Sequence, residues 1–209
     1  MPKAIHFWKE HFMKLHYNSP VVLSFSLASF LALILGLITE NNTTLTLFAV
    51  YRSSLADPLA YLRLFLHVLG HSSYSHFMSN ILMILVIGPT LEEKYGSKRL
   101  FRAIVSTAFV TGIFQMLFFD TALLGASGIV FMMIVLASYS GIRQGRIPLT
   151  LILVVLLYLG GEIADIFTNA TDNVSQSAHI LGGLCGIIVG IRYNRQERRR
   201  KQKAARRAQ

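Results

Sequence analysis

Apolar residues in this chain gather into runs of roughly 20 positions, and most of the ionisable groups fall between them. Wound as an α-helix, a run of that length crosses about 30 Å of hydrocarbon. The pattern predicts an all-α, polytopic membrane protein with six spans, over residues 21–38, 75–91, 100–118, 122–140, 149–166 and 178–193. The chain then divides into an N-terminal cytoplasmic or interfacial segment (1–18), a membrane domain (19–194) and a basic cytoplasmic tail (195–209). In the first segment Ile5, Trp8, Phe12 and Leu15 share one face of a short helix suited to the membrane interface. Charges interrupt its apolar residues, which excludes a secretory signal peptide.

Composition supports the class. Hydrophobic residues make up 53% of the chain, charged residues only 14%, and mean hydropathy is +0.52. Soluble domains carry about 25% charged residues, so a soluble globule of this composition could not cover its own surface. The single cysteine, Cys185, lies within an apolar run, so an intramolecular disulfide is excluded and packing is its expected role.

Charge sets the orientation. Lys3, Lys9 and Lys14 precede the first span, and nine Lys/Arg fall between Arg192 and Arg207. Lys94, Lys98, Arg99 and Arg102 surround the second loop, and Arg143 and Arg146 occupy the fourth. The odd-numbered loops instead carry Glu40, Asp57, Asp120, Glu162, Asp165 and Asp172, opposed by Arg52 and Arg63. By the positive-inside rule both termini are cytoplasmic, which requires an even number of spans. A net charge of +10 also suits nucleic acid. The basic run directly follows a span, however, and reads as a topology anchor beside anionic lipid; no nucleic-acid partner is expected.

Polar groups inside spans are costly and mark function. His67, His71, His76 and Asn80 cluster at the entry to the second span, Gly125-Ala126-Ser127-Gly128 opens the fourth, and His179 lies in the first turn of the sixth. Their depths follow from helix rise. Ser127 is roughly 21 Å above the end of its span, His179 roughly 20 Å and Asn80 roughly 18 Å, with His76 one turn higher. Four polar groups on three helices therefore reach one level in the outer half of the membrane.

Gly125 and Gly128 permit a tight entry and close backbone approach, and free N–H groups at a helix start suit an anion beside Ser127. Gly183, Gly186 and Gly190, with Gly182 beside them, form a stripe beneath His179 that lets a neighbouring helix pack closely. Were that neighbour the fourth span, the imidazole would reach the Ser127 hydroxyl. His67 and His71 have metal-ligand spacing, but no cysteine or carboxylate accompanies them at that depth. They are expected to hydrogen-bond loop carbonyls, and neither metal nor cofactor is expected.

Together these residues resemble the rhomboid family of intramembrane serine proteases. The resemblance rests on His71-x4-His76-x3-Asn80, Glu92-x3-Gly96-Ser97, Gly125-Ala126-Ser127-Gly128 and Ala178-His179-x2-Gly182-x3-Gly186, in that order on those spans. It implies a six-helix core with a dyad: Ser127 as nucleophile, His179 as general base, and His76, Asn80 and the Ser127 N–H stabilising an oxyanion. It further implies single-span membrane proteins as substrates, in a multi-pass protein of a prokaryotic cell membrane, with the fifth span and the loop to Ala178 as a lateral gate. Gln115 and Arg63 match polar positions of the family, whereas Leu62 replaces a usual tryptophan. Phe131 replaces a tyrosine that stacks under the histidine; its ring can still stack, without the hydroxyl. Two other classes make different demands on the sequence. An inactive rhomboid-like protein that binds membrane clients would lack the serine or histidine, and both are kept. A transporter would carry an internal repeat, and none is found.

Overall fold

A computed structural model describes residues 17–139, Leu149, Leu153 and 173–207. Seven helices have both bounds among the described residues: α1 (Pro20–Ile38), α2 (Asn42–Leu47), α3 (Pro58–Leu66), α4 (Tyr74–Tyr95), α5 (Ser97–Phe118), α6 (Ser127–Tyr139) and α7 (Asn173–Arg207); Leu149 and Leu153 are helical as well. A 3₁₀ turn, His67–Leu69, joins α3 to the segment before α4. The only β-pairing described is an isolated antiparallel bridge between Val50 and Leu123. The interfacial segment up to residue 16 and, apart from Leu149 and Leu153, the span expected over 149–166 lie outside the described residues.

Helices α1, α4 and α5 are long and apolar enough to cross a membrane. Helix α6 is the centre of the bundle. Every side chain from Gly128 to Leu136 is buried, as befits a helix that is apolar all round. It packs against α4, α5 and α7, and α1 lies on the far side of α4. The outer helices expose large apolar side chains, among them Leu31, Ile38, Val86, Phe118 and Ile188. Each would be costly in water and is at no disadvantage in lipid. The chain is an integral membrane protein.

The start of α1 is fixed from a distance. Pro20 occupies its first turn, where a missing N–H is no loss. The N–H groups of Val21 and Val22 donate to the two carboxylate oxygens of Glu92, each at 3.0 Å. Glu92 is only 3% exposed and sits in the last turn of α4. One carboxylate therefore satisfies two orphan donors and meets the positive end of the α1 dipole. Hydrogen bonds to a charged group are worth about 1.5–3 kcal/mol. Glu92→Gln, which sets an NH₂ group against one of these donors, is expected to lower thermal stability in detergent clearly. A melting temperature equal to the parent's would contradict this capping role.

Three expectations about boundaries are corrected. The fourth span was expected from residue 122, but the helix begins at Ser127, because 122–126 are held in a non-helical path by the Val50–Leu123 bridge and by Gly125. The last helix begins at Asn173, so His179 lies in its second turn rather than its first. That helix also runs unbroken to Arg207, through the basic tail, because no Gly or Pro interrupts 191–207.

Residues 39–73 were expected as a loop and are instead a packed platform. Asp57 caps α3 by accepting from Leu59 N–H at 2.9 Å. Its other oxygen pairs with Arg63 at 2.9 Å. Arg63 is 4% exposed, donates to the Thr46 carbonyl at 2.8 Å and lies 4.6 Å from the centre of the Tyr51 ring. A buried guanidinium with all these partners holds the platform's folded shape.

Candidate active site

The platform positions two histidines. His67 is 1% exposed; its Nδ1 donates to the Arg63 carbonyl at 3.1 Å, and Nε2 lies 3.2 Å from the Thr111 hydroxyl of α5. His71, also 1% exposed, donates from Nδ1 to the Leu69 carbonyl at 3.1 Å. Burial pushes both imidazoles down to about 4, so both are neutral at pH 7. The sequence predicts loop carbonyls as their partners; His71 bonds that of Leu69, whereas His67 bonds one of helix α3. No group of three or more His, Cys, Asp or Glu suited to a metal occurs among the described residues.

The carbonyl of His67 accepts from Gly125 N–H at 2.9 Å, tying the platform to the turn before Ser127. Gly125 has φ +124°, a conformation other residues rarely adopt. Space imposes glycine as well. A Cβ there would lie 2.8 Å from Nε2 of His76. The edge of the His76 ring is thus set directly against the backbone that leads into Ser127.

His76 stands in the first turn of α4, whose cap is Ser73 Oγ accepting from His76 N–H at 3.2 Å. Its Nδ1 lies 3.2 Å from the Ser72 hydroxyl. With that hydroxyl donating, the ring proton resides on Nε2, the side facing Gly125. The His71 ring meets His76 edge-on at 5.0 Å and fixes its other flank. Asn80, one turn deeper and 6% exposed, donates one amide hydrogen to the His76 carbonyl at 3.1 Å. Ser72 was not singled out from the sequence; its signal is the spacing of four to His76.

Ser127 is the first residue of α6, so its N–H is among those without an intrahelical partner. Its side chain is half-buried, as is that of His179. A seam of glycines brings their turns together. A Cβ on Gly182 would fall on the Gly128 carbonyl group, and one on Gly186 would lie 2.6 Å from the Met132 carbonyl oxygen. Gly190 backs onto the Tyr139 ring, and Gly128 itself lies against the Ala178 carbonyl. The contacting stripe is therefore Gly182, Gly186 and Gly190, spaced by four; Gly182, expected only beside the stripe, is its tightest member. At this level His179 lies flat on Phe131, with ring centres 4.4 Å apart and planes 7° apart. Phe131 is one turn below Ser127 on α6, so its ring supports the imidazole beside the helix that Ser127 opens, as its expected stacking implied.

Gln115, 2% exposed, donates to the Thr121 carbonyl at 2.6 Å and holds the segment between α5 and α6. The His76 ring therefore lies against the turn before Ser127, His179 lies on the Phe131 ring of the helix that Ser127 opens, and Asn80 is bonded to the backbone of His76. Such an arrangement suits acyl transfer, in which a hydroxyl attacks a carbonyl and the resulting oxyanion needs donors.

Comparison with known proteins bears on the family. The chain is 29% identical over 129 residues to Rhomboid protease GlpG of Serratia proteamaculans, covering 60% of this chain and 45% of that protein. It is 29% identical over 154 residues to Rhomboid protease GluP of Bacillus subtilis, covering 71% and 29%. It is 29% identical over 136 residues to Rhomboid protease GlpG of Salmonella paratyphi A, covering 62% and 47%. The matched region spans less than half the length of each of these relatives. A family model, described as the Rhomboid domain, matches residues 58–196, from the platform through the last span, and the chain therefore belongs to the rhomboid family.

Proposed function

We propose that this protein is an intramembrane serine endopeptidase that cuts other membrane proteins with Ser127 and His179. The observation that supports this most is the tight seam between α6 and α7, where the turn carrying Ser127 faces the turn carrying His179 and its Phe131-stacked ring. In this reading His179 takes the Ser127 proton as Oγ attacks the scissile carbonyl. The oxyanion then receives hydrogen bonds from the Ser127 N–H, the His76 Nε2–H and the free amide hydrogen of Asn80. His179 returns the proton to the leaving amine, and water hydrolyses the acyl-enzyme. The names of the bacterial relatives, each called a rhomboid protease, favour the same chemistry and a prokaryotic membrane. Covalent labelling of the purified protein by a fluorophosphonate, compared with Ser127→Ala, tests it.

The proposal includes six spans with both termini cytoplasmic, which sets the site in the outer half of the bilayer. Its substrates are single-span proteins with their amino termini outside, cut near the outward end of the span. A helix shields its own carbonyls, so glycine or proline near the cut bond would ease local unwinding.

The oxyanion donors lead to a graded expectation. Loss of one preorganised donor costs about 10²–10³ in rate, less than loss of a nucleophile. His76→Ala and Asn80→Ala should each retain trace cleavage of a membrane-embedded reporter at nearly unchanged KM. Ser72→Ala, which releases the His76 ring without removing it, should fall between these variants and the parent. Full rates in both His76→Ala and Asn80→Ala would remove these residues from the site.

A further inference from the structure

At the end of the bundle away from Ser127, one guanidinium lies over a tyrosine on which two further arginines act electrostatically. Tyr193 of α7 is 8% exposed and donates its hydroxyl to the Arg99 carbonyl, at 2.6 Å, in the first turn of α5. The Arg99 guanidinium lies 5.6 Å from the centre of the Tyr193 ring. Arg102 and Arg192 are also close enough to act on the same phenol electrostatically. None of the three forms an ion pair among the described residues. Beside them Tyr95, ring centre 5.3 Å from that of Tyr193, has a buried hydroxyl with no hydrogen-bond partner among the described residues. Glu197, one turn beyond Tyr193, acts on Tyr95 and offsets one of the three charges, so a cluster that stays net positive beside an orphaned donor forms a site suited to an anion.

The surroundings specify which anion. Phe101, between Arg99 and Arg102, is 57% exposed, and Ile188, one turn before Arg192, is 65% exposed. Apolar surface therefore continues from the charged cluster along both helices, as a molecule with a charged head and hydrocarbon tails requires. The arginines also fall where α7 passes from an apolar to a strongly basic composition, which is headgroup level. A nucleic acid would instead use the far part of α7, which extends about 20 Å beyond Tyr193, roughly two Debye lengths at 0.1 M salt. We propose that Arg99, Arg102 and Arg192 hold the phosphate of one anionic phospholipid in the crevice where α5 meets α7. The site is independent of the active-site reading, being separated from it by thirteen residues of α7, about 20 Å.

The test is native mass spectrometry of the full chain in detergent, titrated separately with phosphatidylglycerol, phosphatidylcholine, glycerol 3-phosphate and a short RNA. One phosphatidylglycerol per chain is expected to stay bound under conditions that strip phosphatidylcholine. The variant R99Q/R102Q/R192Q should bind it at least tenfold more weakly. R199Q/K203Q/R206Q, on the distal part of α7, should bind it like the parent. R192Q alone, an exposed change that leaves packing intact, should give a measurable weakening at unchanged melting temperature. Equal retention of phosphatidylglycerol in the triple cluster variant would overturn the proposal, as would loss in the distal variant. Displacement by millimolar glycerol 3-phosphate, or preferential cluster-dependent retention of RNA, would also overturn it by identifying a different ligand.

Discussion

Ser127→Ala is expected to abolish fluorophosphonate labelling and to reduce cleavage of a membrane-embedded reporter to background. A serine hydroxyl is a weak nucleophile until a base removes its proton, so losing His179 should be equally severe. In soluble serine proteases, removing either member of such a pair costs on the order of 10⁶ in rate. Folding should survive the serine change, because one hydroxyl at the first position of α6 is removed and no cavity of consequence is left. Histidine needs a better control, since its ring lies flat on Phe131 and contributes to the seam. His179→Phe keeps a flat ring in that stack and lacks a base, so it should fold, resist heat like the parent and remain inactive. Labelling of Ser127→Ala at the parent's level, or cleavage by His179→Phe, would discard the dyad.

Gly182→Ala is expected to be nearly as damaging to activity, and by a different route. The added methyl group would fall on the carbonyl group of Gly128, which is backbone of the most buried helix and cannot swing aside. Helices α6 and α7 must then separate. Overpacking of this kind costs about 1–3 kcal/mol. A displacement of about 1 Å between reacting groups can cost on the order of 10² in rate. Both the melting temperature and the labelling rate should therefore fall together. Gly190→Ala provides the comparison, because its methyl group would meet the Tyr139 ring, a side chain that can rotate away. Its effect should be small on both measures. If Gly182→Ala matched the parent in both, the seam would not be what aligns the two helices.

Much of the candidate site was legible in the sequence because its parts are local strings on long apolar runs. Ser127 between small residues, and His179 above glycines, carry their meaning within a few positions. The backbone-carbonyl partner of His71 was likewise foreseeable from its position outside the spans, whereas that of His67 lies in helix α3, which the sequence did not reveal. The platform over residues 39–73 was not foreseeable, because α2 and α3 are short and their apolar residues lack the length of a span. Glu92 appeared as part of a motif without a task, since its partners, Val21 and Val22, stand at the other end of the sequence.

The sequence by itself determined the all-helical membrane class, the family, and which residues stand out as polar on apolar runs. Those properties depend on helix rise, on the thickness of hydrocarbon and on charge, all of which are read along the chain. Tertiary structure alone decided that α6 begins at Ser127, that His76 presents its Nε2 edge to Gly125, and that Gly182 forms the closest point of the seam. Each of these depends on contact between segments far apart in the chain: the Val50–Leu123 bridge, the His67 carbonyl on Gly125, and the Gly128 carbonyl against α7. Periodicity fixes the face on which a residue lies, but the register between two helices is set by backbone atoms meeting at van der Waals distance, and a linear pattern holds no measure of that distance.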